Sequence, residues 1–155
     1  MIGPRVLVTG GTGVVGRPLV AALLAMGREV VVLSRKAPKN GDFLAHPGCT
    51  HLPGDVSLPE LGLAPETYRG LADSLTTIFH LAARTDFKGA TVAEYQPINI
   101  DGVRHVYALA EQSTAHLHHV STAFVRGTGE GLFHEHELDC GQGFRNCYEA
   151  SKFRG

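Results

Sequence analysis

The sequence is short of several things, and each shortage removes a class of protein. No apolar run approaches the roughly 20 residues that a membrane-spanning helix requires, so no membrane span is expected. The chain opens Met1-Ile2-Gly3-Pro4-Arg5 and enters an apolar run at once. With no basic stretch, apolar core and cleavage site ahead of it, no secretory signal is read and a cytoplasmic location is expected. Cysteine is limited to Cys49, Cys140 and Cys147. That odd number without a CxxC pair reads as reduced thiols, not a disulfide framework. Neither sign of charge is in excess: the net charge is −1 with histidine neutral. A surface that tracks phosphates is normally basic, so nucleic acid is not expected as a partner. Internal repeats and low-complexity segments are missing. So is any metal-ligand spacing, despite nine histidines. Neighbours such as His118 and His119 point to opposite faces of a strand. His134 and His136 flank Glu135 but have too few further ligands for zinc. No metal is expected.

What is present is a regular alternation. Hydrophobic residues make up 43% and charged residues 19%, which suits one folded domain of 155 residues. Arg5 to Thr9 reads as a buried strand, Gly10 to Gly16 as a glycine-rich turn, and Arg17 to Met26 as a helix ending at Gly27. Pro18 falls near the start of that helix, where its missing N–H does least harm. Glu29 to Ser34 is a second strand, too uniformly apolar to face water on one side, as parallel strands covered on both faces are. Lys39-Asn40-Gly41 signals a loop. A short strand is expected around Thr50 to Leu52, a helix over Pro65 to Asp73, and a fourth strand over Thr76 to Leu81. Val92 to Ser113 reads as helix, interrupted at Pro97 or starting there. His116 to Thr122 is the fifth strand, Arg126 to Asn146 an irregular loop, and Tyr148 to Gly155 the start of a last helix. Strand and helix in alternation give an α/β fold, a Rossmann-type doubly wound parallel sheet.

The turn Thr9-Gly-Gly-Thr-Gly-Val-Val-Gly16 carries Gly10, Gly13 and Gly16 in GxxGxxG spacing between a strand and a helix. Glycines there permit a tight turn and let a pyrophosphate approach the backbone. The helix N-terminus then offers free N–H groups and partial positive charge. Gly10, Thr12, Gly13, Val14, Val15 and Gly16 are the candidate cradle. The second strand ends Leu33-Ser34-Arg35-Lys36, without the carboxylate that would receive a ribose 2′-hydroxyl. Arg35 can grip a 2′-phosphate in a planar fork, with Ser34 and Lys36 beside it. NADP(H) is therefore expected rather than NAD. Asp55 and Val56 follow the third strand, and Leu81, Ala82 and Ala83 the fourth, at strand ends where such sheets bind ligands. Asp55 can accept a bond from an adenine amino group, and the small residues let a ribose or nicotinamide lie close.

Tyr148-Glu-Ala-Ser-Lys152 puts a phenol and an ammonium at i and i+4, on one helix face. A tyrosine hydroxyl is a poor acid or base at neutral pH, and a neighbouring cation favours its phenolate. Ser121-Thr122, at the end of the fifth strand, can supply the hydroxyl that binds a carbonyl oxygen as charge develops on it. TGGTGVVG, GDV, HLAA, STA and YEASK, in this order, resemble the extended short-chain dehydrogenase/reductase superfamily from about Arg5 to the last residue. The resemblance implies Tyr148 as acid/base, Lys152 as its tuner and a ribose ligand, and Thr122 before Ser121 as the orienting hydroxyl. Asn99 is similar to the helix asparagine that supports such a site. Asp55-Val-Ser-Leu-Pro-Glu-Leu-Gly-Leu63, Ile78-Phe-His-Leu-Ala-Ala83, His119-Val-Ser-Thr-Ala123 and Asn146-Cys-Tyr-Glu-Ala-Ser-Lys152 resemble the thioester-reductase and fatty-acyl-reductase branch. That implies NADPH-dependent reduction of an acyl thioester, on coenzyme A or a carrier protein, to an aldehyde or alcohol. The same cofactor half also serves sugar-nucleotide epimerases and dehydratases, and a dinucleotide-binding module without catalysis. Arg84 and Asp86 lie near the expected cleft, as substrate contacts or as an exposed pair.

The family continues beyond a Tyr/Lys helix, whereas this chain stops three residues after Lys152. The chain reads as the N-terminal, NADP-binding part of a longer protein, with the later strands and substrate region absent. A helix of about eight residues does not stand alone. The end is therefore expected to be disordered, or the open edge of the fifth strand to self-associate.

Overall fold

A computed structural model describes residues 5–37, 42–89 and 91–155. The loop signal Lys39-Asn40-Gly41 and the opening Met1 to Pro4 lie outside them. Five strands form one parallel sheet in the order β3-β2-β1-β4-β5. They are β1 (Arg5–Thr9), β2 (Glu29–Ser34), β3 (Cys49–Pro53), β4 (Leu75–His80) and β5 (His116–His119). Successive side chains alternate faces, so the two central strands feed two cores. Val6, Val8, Val30 and Val32 pack under Val20, Leu23 and Leu24 of α1 (Gly16–Ala25). Leu7, Val31, Leu33 and Ile78 pack on the other face. There they meet Tyr68, Leu71 and Ala72 of α2 (Pro65–Ala72) and Val106, Leu109 and Ala110 of α3 (Gly102–Ser113). Both faces of β1 and β2 are thus sealed, as their unbroken apolar runs require.

Two expected elements change. The fifth strand stops at His119 instead of reaching Thr122, because β4, its one neighbour among the described residues, ends at His80. The amide of Val120 still donates to the His80 carbonyl (3.1 Å). Beyond it no strand lies alongside, and Ser121 and Thr122 stand clear of the sheet. The helix expected from Val92 to Ser113 is three pieces: a 3-10 turn at Val92–Glu94, a π-type turn at Gln96–Asp101, and α3. Pro97 lacks the amide that a continuous helix would use. The wider turn it leaves carries Asn99 inward, where that residue is 1% exposed.

The last helix, α4 (Cys147–Arg154), corrects the expectation of a disordered end. Tyr148 to Lys152 are all buried. Its N-terminus is closed reciprocally: the Glu149 amide donates to Asn146 Oδ1 (2.9 Å), and the Glu149 carboxylate accepts from the Arg145 amide (3.0 Å) and Asn146 Nδ2 (3.3 Å). Such a cap satisfies amides a short helix leaves open. At mid-helix, Asn99 Nδ2 donates to Ser151 Oγ (2.9 Å), tying α4 to the π-type turn. Eight residues that would not persist alone are held from both sides.

Candidate functional site

The strand order reverses at β1: the chain runs outward to β2 and β3, then returns to β4 on the other side. A crevice opens there at the carboxyl ends of the strands, as expected of open α/β sheets. Its volume is about 460 Å³. The glycine turn forms one wall with Gly10, Thr12, Gly13, Val14, Val15 and Gly16. Ser34 and Arg35 come from the end of β2, Asp55 and Val56 follow β3, and Leu81, Ala82 and Ala83 follow β4. Residues distant in sequence thus border one space. Lys36, Asn99 and Lys152 do not line it; Leu33, Gly54, Thr85 and Ile98, which sequence reasoning did not single out, do.

The three glycines differ in what they permit. Only Gly10 has positive φ (69°), and a Cβ there would lie 2.7 Å from the Ala82 amide nitrogen. A Cβ on Gly16 would overlap the Gly10 carbonyl and the Gly11 backbone. One on Gly13 would meet only the Gly10 carbonyl oxygen, at 3.3 Å, so what its bareness leaves open is the crevice itself. The turn is closed by Gly13 N donating to Gly10 O (3.0 Å), and α1 begins as Arg17 N donates to Gly13 O (3.0 Å). Val14 and Val15 are 93% and 61% exposed at its lip.

At the other polar end, Ser34 Oγ donates to the Lys36 carbonyl (2.9 Å) and lies 3.0 Å from His51 Nε2. That hydroxyl already has a protein partner, while Arg35 is exposed at the crevice. Asp55 Oδ1 accepts from the amide (2.9 Å) and hydroxyl (2.7 Å) of Ser57, which fixes the carboxylate at the crevice wall.

Beside the crevice, Lys152 Nζ donates to the Val120 carbonyl (3.2 Å), pinning α4 to the end of β5. Burial lowers the Lys152 pKa from its ordinary value. Tyr148 is flanked edge-on by the rings of Phe87 (5.1 Å) and Tyr95 (6.5 Å). Thr122 opens the turn Ala123–Arg126, against which α4 packs. Its Oγ1 accepts from the Phe124 amide (3.3 Å), which leaves the hydroxyl hydrogen able to donate. Asn99 stands behind these groups. Its Oδ1 accepts from the Arg84 amide (2.8 Å), and its Nδ2 donates to the Arg84 carbonyl (3.0 Å) as well as to Ser151. Arg84 is paired with Asp86 (2.9 Å) and lies over the Tyr95 ring (4.8 Å).

A row of polar side chains crosses the sheet beneath Lys152. Thr9 Oγ1 accepts from the Ala82 amide (3.2 Å) and shares a hydrogen bond with His80 Nδ1 (2.7 Å). His80 is 1% exposed and stacks on His119 (5.4 Å). Burial first, then the charges of His119 and Lys152, push the His80 pKa down to about 3. Burial and Lys152 lower that of His119 as well. His118 turns to the opposite face, stacking on Phe79 (4.6 Å). His134 and His136 stack on each other (5.4 Å), and among the described residues no cluster of three or more metal-capable groups occurs. Nor is any helix among them long and apolar enough to cross a membrane.

Sequence reasoning passed over Asn146, Glu149, Tyr95 and Phe87. The first two were legible as Asn-x-x-Glu before a helix. The two aromatics carry no local pattern.

Known proteins share this arrangement. The hybrid PKS-NRPS synthetase pvhA of Talaromyces variabilis is 33% identical over 111 residues, 70% of this chain and 3% of that protein. A 3-beta-hydroxysteroid dehydrogenase of Mycolicibacterium neoaurum is 36% identical over 115 residues, 70% of this chain and 29% of that protein. The terminal R domain from the myxalamid PKS-NRPS biosynthetic pathway superposes with a TM-score of 0.85 and 22% identity, over 99% of this chain and 44% of that one, a likeness of fold. The chain therefore spans less than half the length of each of these relatives. The male sterility protein family matches residues 8–155. The chain belongs to that family, within the extended short-chain dehydrogenase/reductases.

Proposed function

We propose that this member of the male sterility protein family binds NADPH and serves the reduction of an acyl thioester, carried on coenzyme A or a carrier protein, to an aldehyde or alcohol. The observation that carries the reading is the docking of α4, which pins Lys152, one helical turn from Tyr148, to the end of β5 beside a crevice lined by the glycine turn and the strand ends. The residues fit such a cofactor: a bare Gly13 faces the crevice, a helix N-terminus follows it, and Arg35 is available for a 2′-phosphate where an NAD site would carry an acid.

The nicotinamide, when bound, supplies a hydride; the chain supplies the rest. Thr122 donates its hydroxyl hydrogen to the thioester carbonyl oxygen and orients it. Tyr148 gives its proton to that oxygen as the hydride reaches the carbon. The phenolate then takes the proton back as the carbonyl re-forms, the C–S bond breaks, and the thiolate leaves to be protonated by solvent, giving the aldehyde. Lys152, buried and held by the Val120 carbonyl one helical turn from Tyr148, is the cation this reading assigns to favour the phenolate. Asn99 touches none of the reacting atoms; it positions α4 and the Arg84 backbone. Self-association belongs to the same reading, because among the described residues β5 pairs with β4 alone.

The test combines turnover and binding. With an acyl-coenzyme A or phosphopantetheinyl thioester and NADPH, aldehyde trapped as its hydrazone should accumulate, and Tyr148→Phe should lower the rate by about 10²–10⁴. Arg35→Ala should weaken NADPH by roughly tenfold or more while leaving NADH unchanged. Turnover untouched by Tyr148→Phe, or an NADPH preference that survives loss of Arg35, would refute it.

A further inference from the structure

The segment from Arg84 to Gly89 leaves β4 between the crevice and α4, and its backbone is held with unusual thoroughness. Both backbone polar groups of Arg84 bond the Asn99 side chain (2.8 and 3.0 Å). Tyr95, fully buried, donates its hydroxyl to the Asp86 carbonyl (2.8 Å), and its oxygen accepts from the Gly89 amide (3.0 Å). The Lys88 amide donates to Asp86 Oδ1 (3.1 Å). Gly89 is bare for a reason: a Cβ there would overlap the Tyr95 ring. None of these contacts uses the side chain of Phe87. That ring is 58% exposed, yet lies edge-on to Tyr148 at 5.1 Å. Two residues earlier, Thr85 lines the crevice. One rigid segment thus touches the cofactor space with Thr85 and the phenol with Phe87.

An exposed phenylalanine is ordinary by itself; its contact is what singles this one out. Here the segment is anchored without it, and its exposed ring packs edge-on against the ring of the proposed acid, Tyr148. We propose that Phe87 is the specificity wall of the substrate site, taking the apolar chain next to the reacting carbonyl and so favouring acyl over polar, sugar-like substrates. The inference rests on the proposed function for its choice of substrate. Phe87 gives or takes no proton; it supplies carbon surface against which methylene groups leave water. Full burial of one methylene is worth about fourfold in affinity, and a single wall should yield about twofold for each of the first few.

Two measurements separate this inference from its parent. In the first, kcat/KM is compared across acyl-pantetheine thioesters of increasing chain length for the wild type, Phe87→Leu and Phe87→Ala. In the second, non-reducible S-alkyl pantetheine thioethers of the same lengths are titrated calorimetrically in the presence of NADP. The wild type should gain about twofold per methylene in both series, Phe87→Leu should keep most of that gain, and Phe87→Ala should lose it. A gain with length that is the same in Phe87→Ala, or an equal loss at every length, overturns the proposal, since either would make Phe87 a prop for Tyr148 alone. Length-dependent thioether binding that needs Phe87, without thioester turnover in the wild type, would uphold the wall and sink the reductase reading.

Discussion

His80 offers a sharp test of the buried row, because its burial must make the fold sensitive to mild acid. In the folded chain its pKa is about 3, whereas the unfolded chain gives it the ordinary value of 6.5. The sign follows from which state takes up the proton. Above about pH 7 the imidazole is neutral in both states and contributes no pH dependence. Below 6.5 the unfolded chain binds a proton that the folded chain refuses, so stability falls as pH drops, until the folded pKa is reached. The slope approaches about 1.4 kcal/mol per pH unit. Between about pH 7.5 and pH 5, His80 alone should remove about 2 kcal/mol, a sizeable share of the 5–15 kcal/mol typical of a domain. His119, lowered for the same reason, adds in the same direction. Urea unfolding at the two pH values measures the loss. His80→Asn can still share a hydrogen bond with the Thr9 hydroxyl but has no titrating ring. It should be less stable than the wild type at the higher pH, through the space it leaves, yet lose about 2 kcal/mol less on acidification. An acid loss equal to that of the wild type would refute the reasoning, and with it the picture of a neutral imidazole sealed under Lys152.

Two further outcomes follow from the geometry. Gly13→Ala should fold almost normally, because its Cβ meets only one carbonyl oxygen at 3.3 Å, yet bind dinucleotide at least about tenfold more weakly; Gly16→Ala should instead lose the fold's stability, and thermal melts beside calorimetry distinguish the two. Asn146→Ala removes the cap of α4 and should cost about 1 kcal/mol, with hydrogen exchange in residues 147–154 rising ahead of the rest of the chain; uniform exchange would show that Asn99 and Lys152 suffice to hold the helix.

Strands buried on both faces were the most legible feature. β1 and β2 have the limits their apolar runs suggest, since a continuous hydrophobic run admits few other environments. The glycine turn was legible because its spacing, its preceding strand and its following helix agree. Where expectations missed, the deciding partner was distant. The end of β5 depends on where β4 stops, and nothing in Val120-Ser-Thr122 reports that. The π-type turn around Asn99 depends on Pro97 locally, but also on the need of Arg84 and Ser151 for a shared amide. Phe87 and Tyr148 are 61 positions apart, and their contact is made by a loop whose anchor, Tyr95, resembles any other buried aromatic in the sequence. Tyr148 and Lys152 announced themselves through their spacing; the cap that seats them was written in Asn146 and Glu149, two letters that local reading could have paired.

The crevice has a thermal consequence of its own. Carbon dominates several of its walls, through Leu33, Val56, Leu81, Ile98 and the two outward valines at the lip. Filling it expels water from that surface, so association should carry a negative heat-capacity change. The enthalpy of complex formation will then grow more exothermic on warming, and a titration that looks silent at one temperature will declare itself at another.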